Sequence, residues 1–332
     1  MIRFGVIGTN WITEAFIQAG SELESFRLTA VYSRTEARAR EFAARYGAEQ
    51  IFTDVEEMAA SGKIDAVYIA SPNAFHCRQA VICMNHGKHV LCEKPMASNA
   101  REARLMIETA RRNRVVLMEA MKSTLMPGFR AIQENLDKLG PIRRYFASFC
   151  QYSSRYDAYK QGTILNAFRP ELSNGSLMDL GVYGLYPLVV LFGKPESVTA
   201  SAVMLESGVD GQGSLILKYS GMEAVVLHSK ISDAPLPSAV IGENGSMIIP
   251  KISQPMNIEL RLRDGTAELL SGEISGHPMK YEVQEFIRLI EDGQLESAVN
   301  AHRHSLLVLE IMDEARRQIG LAYPADENGA DQ

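Results

Sequence analysis

The stretch KHVLCEKPMASN, residues 88–99, closes an apolar run at His89–Cys92 with Glu93, Lys94 and Pro95. Lysine is rarely buried without a partner, and proline cannot donate to a sheet ladder. These residue types describe a strand end that holds an ammonium in place, with Pro95 ending the ladder through a turn that a cis Lys94–Pro95 bond would suit.

Three further stretches carry a different chemistry, that of holding a nucleotide. GVIGTNWIT (5–13) reads as strand, glycine turn and helix start, and amides at a helix N-terminus can hold a pyrophosphate. With Gly8 as the first glycine of a dinucleotide fingerprint, Asn10 and Thr13 occupy the second and third glycine positions. Asparagine tolerates the left-handed backbone better than most residues, so Asn10 is expected to stand in for glycine. Thr9 and Ile12 complete the turn, and Trp11 could shield the pyrophosphate or the nicotinamide. The same residues also fit a strand–turn–helix with no ligand. At the end of the second strand, VYSRT (31–35), an acid would bind the ribose 2′-hydroxyl of NAD. Ser33, Arg34 and Thr35 stand there instead, and a guanidinium pairs well with a 2′-phosphate. That favours NADP over NAD, a surface arginine being the alternative. ASPNAFHCRQA (70–80) follows another strand, at the end where open α/β sheets bind ligands. Ser71, Pro72, Asn73 and His76 could line the cofactor there, His76 as a structural histidine or a contact rather than a base.

The elements that must position these residues alternate over the first 120 residues. Apolar strands at 2–8, 27–34, 64–72, 88–94 and 114–121 are separated by helical patterns, with Gly47 and Gly87 closing two of them. The strands do not alternate with polar residues, which suits a parallel sheet covered on both faces, and short right-handed connections make it doubly wound. Beyond Lys122 the rhythm changes. A helix is expected near 126–138, a strand at 141–154, and a continuous helix over 176–191. Strands then follow at 196–206, 213–219, 222–230, 237–241, 245–249 and 257–263, separated by turns such as GVDGQG and GENGS. Helices at 279–292 and 301–319 close the chain. The fold class is α/β: a doubly wound parallel sheet, then an α+β domain with an open, mostly antiparallel sheet.

The bulk numbers exclude several classes. A length of 332 residues favours two domains. A net charge of −6 argues against a nucleic-acid partner. The longest apolar helical run, LYPLVVLFG, falls short of the roughly 20 residues that span a bilayer, and MIRFGVIG is no signal peptide, so no membrane partner is expected. Cys77, Cys83, Cys92 and Cys150 show no CxxC or zinc spacing and read as reduced thiols of a cytoplasmic protein, with no metal.

KHVLCEKP, with the SPNAFH loop and SNGSLMDLGVYG (173–184), resembles the Gfo/Idh/MocA oxidoreductase family. The resemblance runs from RFGVIG to the GENGSMIIP hairpin, and E-K-P followed by D-x-G-x-[HY] is more specific than the glycine turn. It implies a Rossmann domain over 1–121 and a substrate-binding and oligomerisation domain over 122–332. It also implies NAD(H) or NADP(H), an active site between the domains, and a homodimer or larger homo-oligomer. The family's catalytic positions fall on Lys94, Asp179 and Tyr183. Tyrosine at the last of these resembles the branch with glucose-fructose oxidoreductase, dimeric dihydrodiol dehydrogenase and xylose dehydrogenases.

On that resemblance Lys94 meets nicotinamide and substrate. Its ammonium stabilises alkoxide character during hydride transfer and lowers the pKa of a phenol that is ordinarily about 10. Tyr183 exchanges the proton. Asp179, four residues earlier on an apparent helix, shares its face and orients Tyr183 or bonds a substrate hydroxyl. Glu93 pairs with a cation or orients the loop. The plainer alternatives are a surface lysine, a helix-start carboxylate and a core aromatic. Arg169, from NAFRPELSNG, is a further candidate for substrate oxygens, and Glu119, Lys122, Gln151 and Tyr152 could face the cleft. The activity expected is an NADP-preferring dehydrogenase or reductase of a sugar, polyol or diol. The rivals are a non-redox enzyme that uses NAD transiently for elimination or glycoside cleavage, and a non-catalytic sensor of NADP(H) or sugar.

Overall fold

A computed structural model of the chain describes residues 1–327. It divides into two compact units, Met1–Met121 with Ser275–Ser305, and Lys122–Ile274 with the chain from Leu306 onward.

In the first unit apolar runs fall where the sequence places strands. They are β1 (Ile2–Ile7), β2 (Phe26–Tyr32), β4 (Ala66–Ile69), β5 (His89–Glu93) and β6 (Leu117–Ala120). Helices α1 (Trp11–Gly20), α2 (Glu36–Tyr46), α4 (His76–Asn85) and α5 (Ala100–Asn113) lie between them. A short strand β3 (Gln50–Phe52) and helix α3 (Val55–Ala60) went unread, being too brief to show a period. All six strands are parallel, in the order β3-β2-β1-β4-β5-β6. The chain order reverses between β1 and β4, the topological switch at which such sheets bind ligands. β4 is buried at every position, as a strand covered on both faces must be. The core beside it is aromatic, with Phe16 stacked on Tyr68 at 3.8 Å and Phe4 on Phe26 at 4.8 Å.

The second unit begins with α6 (Pro127–Asn135) and β7 (Ile142–Cys150). After a short helix α7 (Tyr156–Lys160), the expected continuous helix over 176–191 proves to be two pieces. Leu177–Gly181 is a π-helix, in which the Val182 N–H bonds the carbonyl of Leu177, and α8 (Val182–Phe192) continues from it. The helical stretch Pro170–Phe192 is 23 residues long with hydropathy 1.5, longer than the apolar run expected from sequence. By composition alone it is long enough to cross a bilayer, but 72% of it is buried inside the fold, as a core helix is.

Strands β8 (Ser197–Met204), β9 (Asp210–Tyr219), β10 (Met222–Ser229), β11 (Ser238–Gly242), β12 (Gly245–Ile249), β13 (Glu259–Leu262) and β14 (Ala267–Leu269) complete the unit's sheet. Its order is β14-β13-β12-β11-β7-β10-β9-β8, antiparallel apart from the β7–β10 pair. β14 is three exposed residues and left no signal in the sequence. One face packs on α8: the Tyr145 hydroxyl donates to the carbonyl of Gly184 (2.9 Å), and a Cβ at Gly184 would lie 2.7 Å from Val226.

The chain then returns to the first unit. Helix α9 (Lys280–Glu291) sets Phe286 against Phe4, with ring centroids 6.0 Å apart. A single break after residue 121 therefore does not describe the chain, because 275–305 belong with the first unit. The apolar stripe of α9 is satisfied by the Rossmann core, a long-range choice that local sequence does not reveal. Helix α10 (His302–Ile319) starts in that unit and continues in the second, which α11 (Pro324–Glu327) ends.

Candidate active site

Gly8 ends β1 with φ +109°, and a Cβ there would sit 2.7 Å from the carbonyl oxygen of Ala70. Only glycine meets both demands. Asn10 does not act as a second glycine: its φ is −107°, and it is the N-cap of α1. Its Oδ1 accepts from the amides of Ile12 (3.1 Å) and Thr13 (3.2 Å), and its Nδ2 donates to the carbonyl of Ala70 (2.9 Å). One side chain thus satisfies two of the amides a helix leaves open and ties the ends of β1 and β4 together. The Ile12 amide is spent on this cap. The start of α1 favours an anion electrostatically. Trp11 stands 67% exposed there.

At the end of β2, Ser33 is half-buried and Arg34 exposed. A residue not singled out from sequence joins them. Arg38, on α2, donates from Nη2 to the carbonyl of Thr9 (2.8 Å) and from Nε to its Oγ1 (3.2 Å). Its signal was its place four residues after Arg34, at the start of the helix that follows β2. With no acid at the end of β2 and two guanidiniums near the glycine turn, the residues present fit a dinucleotide that carries a 2′-phosphate.

The ends of β4 and β5 are joined by His76. It is fully buried, with Nδ1 3.0 Å from the carbonyl of Pro95 and Nε2 2.8 Å from that of Ser71. Burial lowers its pKa. Both ring nitrogens lie on backbone carbonyls, which makes His76 a clamp on two loops. Ser71 bonds Gln79 (2.6 Å), and Asn73 is buried.

The Lys94–Pro95 bond is cis, and Lys94 is half-buried at the end of β5. Beneath it, Glu93 accepts from the Tyr68 hydroxyl at 2.5 Å and lies 3.3 Å from the Lys94 amide, so it orients the loop. Glu119, opposite Cys92 on β6, accepts from the Met96 amide (3.0 Å) and from Ser305. Burial pushes its carboxyl up to about 7. It is a buried support of the loop rather than a group facing a cleft.

In the second unit the π-helix presents Asp179, which is ion-paired with Lys230 at the end of β10. Tyr183 opens α8, its ring edge-on to Phe149 of β7 at 5.5 Å. Behind them Asp210 Oδ2 accepts from the Leu177 amide (2.6 Å), and His228 Nδ1 lies 2.9 Å from Ser176 Oγ. Burial pushes Asp210 up to about 7 and His228 down to about 3. Arg169 is exposed and donates to the carbonyl of Ile164 (3.0 Å). Lys122 is half-buried, Gln151 is exposed, and Tyr152 bonds Asp157 (2.7 Å).

Comparison with known proteins agrees with this fold. Residues 2–121 match the profile of an oxidoreductase family with an NAD-binding Rossmann fold, and residues 129–248 the GFO/IDH/MocA C-terminal domain. The chain belongs to the Gfo/Idh/MocA oxidoreductase family. Within it, the chain is 55% identical to an NADP(+) scyllo-inositol 2-dehydrogenase of Bacillus subtilis, over 98% of this chain and 100% of that one. It is 32% identical to a trans-1,2-dihydrobenzene-1,2-diol dehydrogenase of Danio rerio, over 98% and 99%. Its fold matches the crystal structure of a 3-ketoreductase of Actinomadura kijaniata with a TM-score of 0.82 at 22% identity, covering 97% and 99%. This member of the Gfo/Idh/MocA family is accordingly an enzyme of the oxidoreductase class.

Proposed function

We propose that the chain is an NADP-preferring dehydrogenase acting on a secondary alcohol, or its carbonyl, of a polyol, sugar or diol. The observation that carries this reading is a half-buried lysine, Lys94, on a cis bond just past β5, in a unit whose glycine turn after β1 is joined by Arg34 after β2 and Arg38 on α2. The similarity to an NADP(+) scyllo-inositol dehydrogenase along the whole chain supports it. Gly8, Thr9, Asn10 and Trp11 would hold the pyrophosphate, and Arg34 the 2′-phosphate, with Arg38 bracing the turn through Thr9. The nicotinamide, when bound, accepts or gives the hydride. Lys94 stabilises the charge that grows on the substrate oxygen, Tyr183 exchanges the hydroxyl proton, and Asp179 accepts from a neighbouring substrate hydroxyl. A polyol offers such hydroxyls in number.

Two finer parts belong to the same proposal. Val203 and Ile216, each 49% exposed, lie on the face of the second unit's sheet away from α8 and support a homo-oligomer built through that face. The four free thiols suit a reducing cytoplasm.

The test is NADPH formation at 340 nm with scyllo-inositol, other inositols, aldoses and trans-dihydrodiols, wild type beside Lys94→Ala. Turnover that falls by about 10²–10³-fold in the variant is expected for loss of a preorganised charge at the reacting oxygen. Silence of the wild type across the panel would sink the reading.

A further inference from the structure

Lys230 has no role in the reading above, yet its position is unusual. It follows β10 directly, and its amide donates to the carbonyl of Gly211 (2.8 Å). Its carbonyl accepts from the Ser153 amide (2.9 Å), so the backbone is held on both sides. Its ammonium lies 5.9 Å from the centroid of the Phe168 ring and pairs with Asp179. The Lys230 side chain is only 5% exposed, whereas that of Asp179 is 35% exposed. Only the carboxylate half of the pair offers a surface to a ligand, with the ammonium behind it.

The backbone under Asp179 is fixed from the same side. Asp210 holds the Leu177 amide, His228 meets Ser176, and the Tyr323 hydroxyl donates to the carbonyl of Asn174 (3.0 Å). Gly175, with φ +149°, approaches Asp210 so closely that a Cβ would lie 2.1 Å from its Oδ1. Burying an ammonium is costly, and a buried pair commonly gives no net stability over apolar residues of like volume. Stability alone is therefore a poor reason for Lys230 to be there, while one fixed carboxylate orientation is a good one.

We propose that Lys230 is a positioning residue that acts through Asp179, holding its carboxylate in a single orientation to accept a hydrogen bond from a polyol hydroxyl beside the reacting carbon. The proposal rests on the dehydrogenase reading, and the two fail in different ways. A wild type silent on every polyol overturns both before any variant is made.

With an active wild type, the test is a double-mutant cycle on NADP⁺ reduction by scyllo-inositol, with Lys230→Met, Asp179→Asn, the double variant and Lys230→Arg. Lys230→Met keeps an apolar stem of similar length over Phe168. It should fold and bind NADPH as the wild type does, and lose about 100-fold in kcat/KM for the polyol, as loss of orientation costs. Lys230→Arg should recover part of that loss. The double variant should be no worse than Asp179→Asn alone, because residues acting as one unit are not additive. Wild-type activity in Lys230→Met overturns the proposal. So do losses that add in the double variant, or an arginine no better than methionine. Should Lys230→Met not fold, the same cycle run with Lys230→Arg decides by the same criterion of additivity.

Discussion

Arg34 lies before α2 and Arg38 in its first turn, and only Arg38 is tied to the glycine turn, through both the carbonyl and the hydroxyl of Thr9. A 2′-phosphate at the end of β2 would meet the exposed guanidinium of Arg34 first, with Arg38 bracing the turn that holds the pyrophosphate. The two arginines should therefore differ in what they discriminate. Hydrogen bonds to charged groups contribute roughly 1.5–3 kcal/mol. Arg34→Ala should thus raise the dissociation constant of NADPH about 10–100-fold and leave that of NADH nearly unchanged. Arg38→Ala should weaken both. Trp11, the chain's sole tryptophan, sits beside the turn, so its emission during titration with each nucleotide provides the measurement. Equal loss of NADPH and NADH binding in Arg34→Ala would remove the basis for an NADP preference.

At the scale of elements, what the sequence made legible followed period and punctuation. The buried strands β4 and β5 announce themselves as apolar runs, and Gly47 closes α2 with φ +72°, as a C-terminal glycine does. The end of β5 just before Lys94 and Pro95 was equally readable. Less was legible where a residue's role depends on a partner far along the chain. Asn10 looked like a glycine substitute because its cap depends on the geometry at Ala70, 60 residues away. Lys230 carries no local signal, since its partner is 51 residues earlier in the chain. The π-helix was read as α because a widened turn leaves the apolar pattern intact and only the hydrogen bonds change. Each of these failures has a physical counterpart that can be measured. Asn10→Ala removes a cap worth about 1 kcal/mol and also the link to β4. It should lower the melting temperature by a few degrees and weaken NADPH binding as α1 frays. An Asn10→Ala protein unchanged in both would show that the turn is held by Gly8 alone.

At the scale of the whole molecule, each unit buries a carboxyl of raised pKa, Glu119 under the Lys94 loop and Asp210 under the π-helix. In the folded chain burial pushes both up to about 7, from ordinary values of 4.5 and 3.8. Between those ordinary values and about pH 7 the native state binds more protons than the unfolded state. The slope of unfolding free energy with pH is then negative, so this part of the stability is full in acid and is lost as pH rises through the window. His228 works the other way. Its pKa falls from 6.5 to about 3 on burial, so its contribution is present at neutral pH and lost as the solution becomes acidic. A wild-type stability curve mixes the two, and substitution separates them. Glu119→Gln and Asp210→Asn each abolish one titration while keeping the shape of the side chain. Each group's linkage term amounts to roughly 3–4 kcal/mol across its window. Each variant should therefore gain several degrees in melting temperature relative to the wild type between pH 5 and pH 8, as shown by thermal unfolding at both values. Variant and wild-type curves that stay parallel across that range would mean that both carboxyls are already ionised in the folded chain. The loop after Lys94 and the segment before Asp179 would then rest on buried charges rather than on neutral acids.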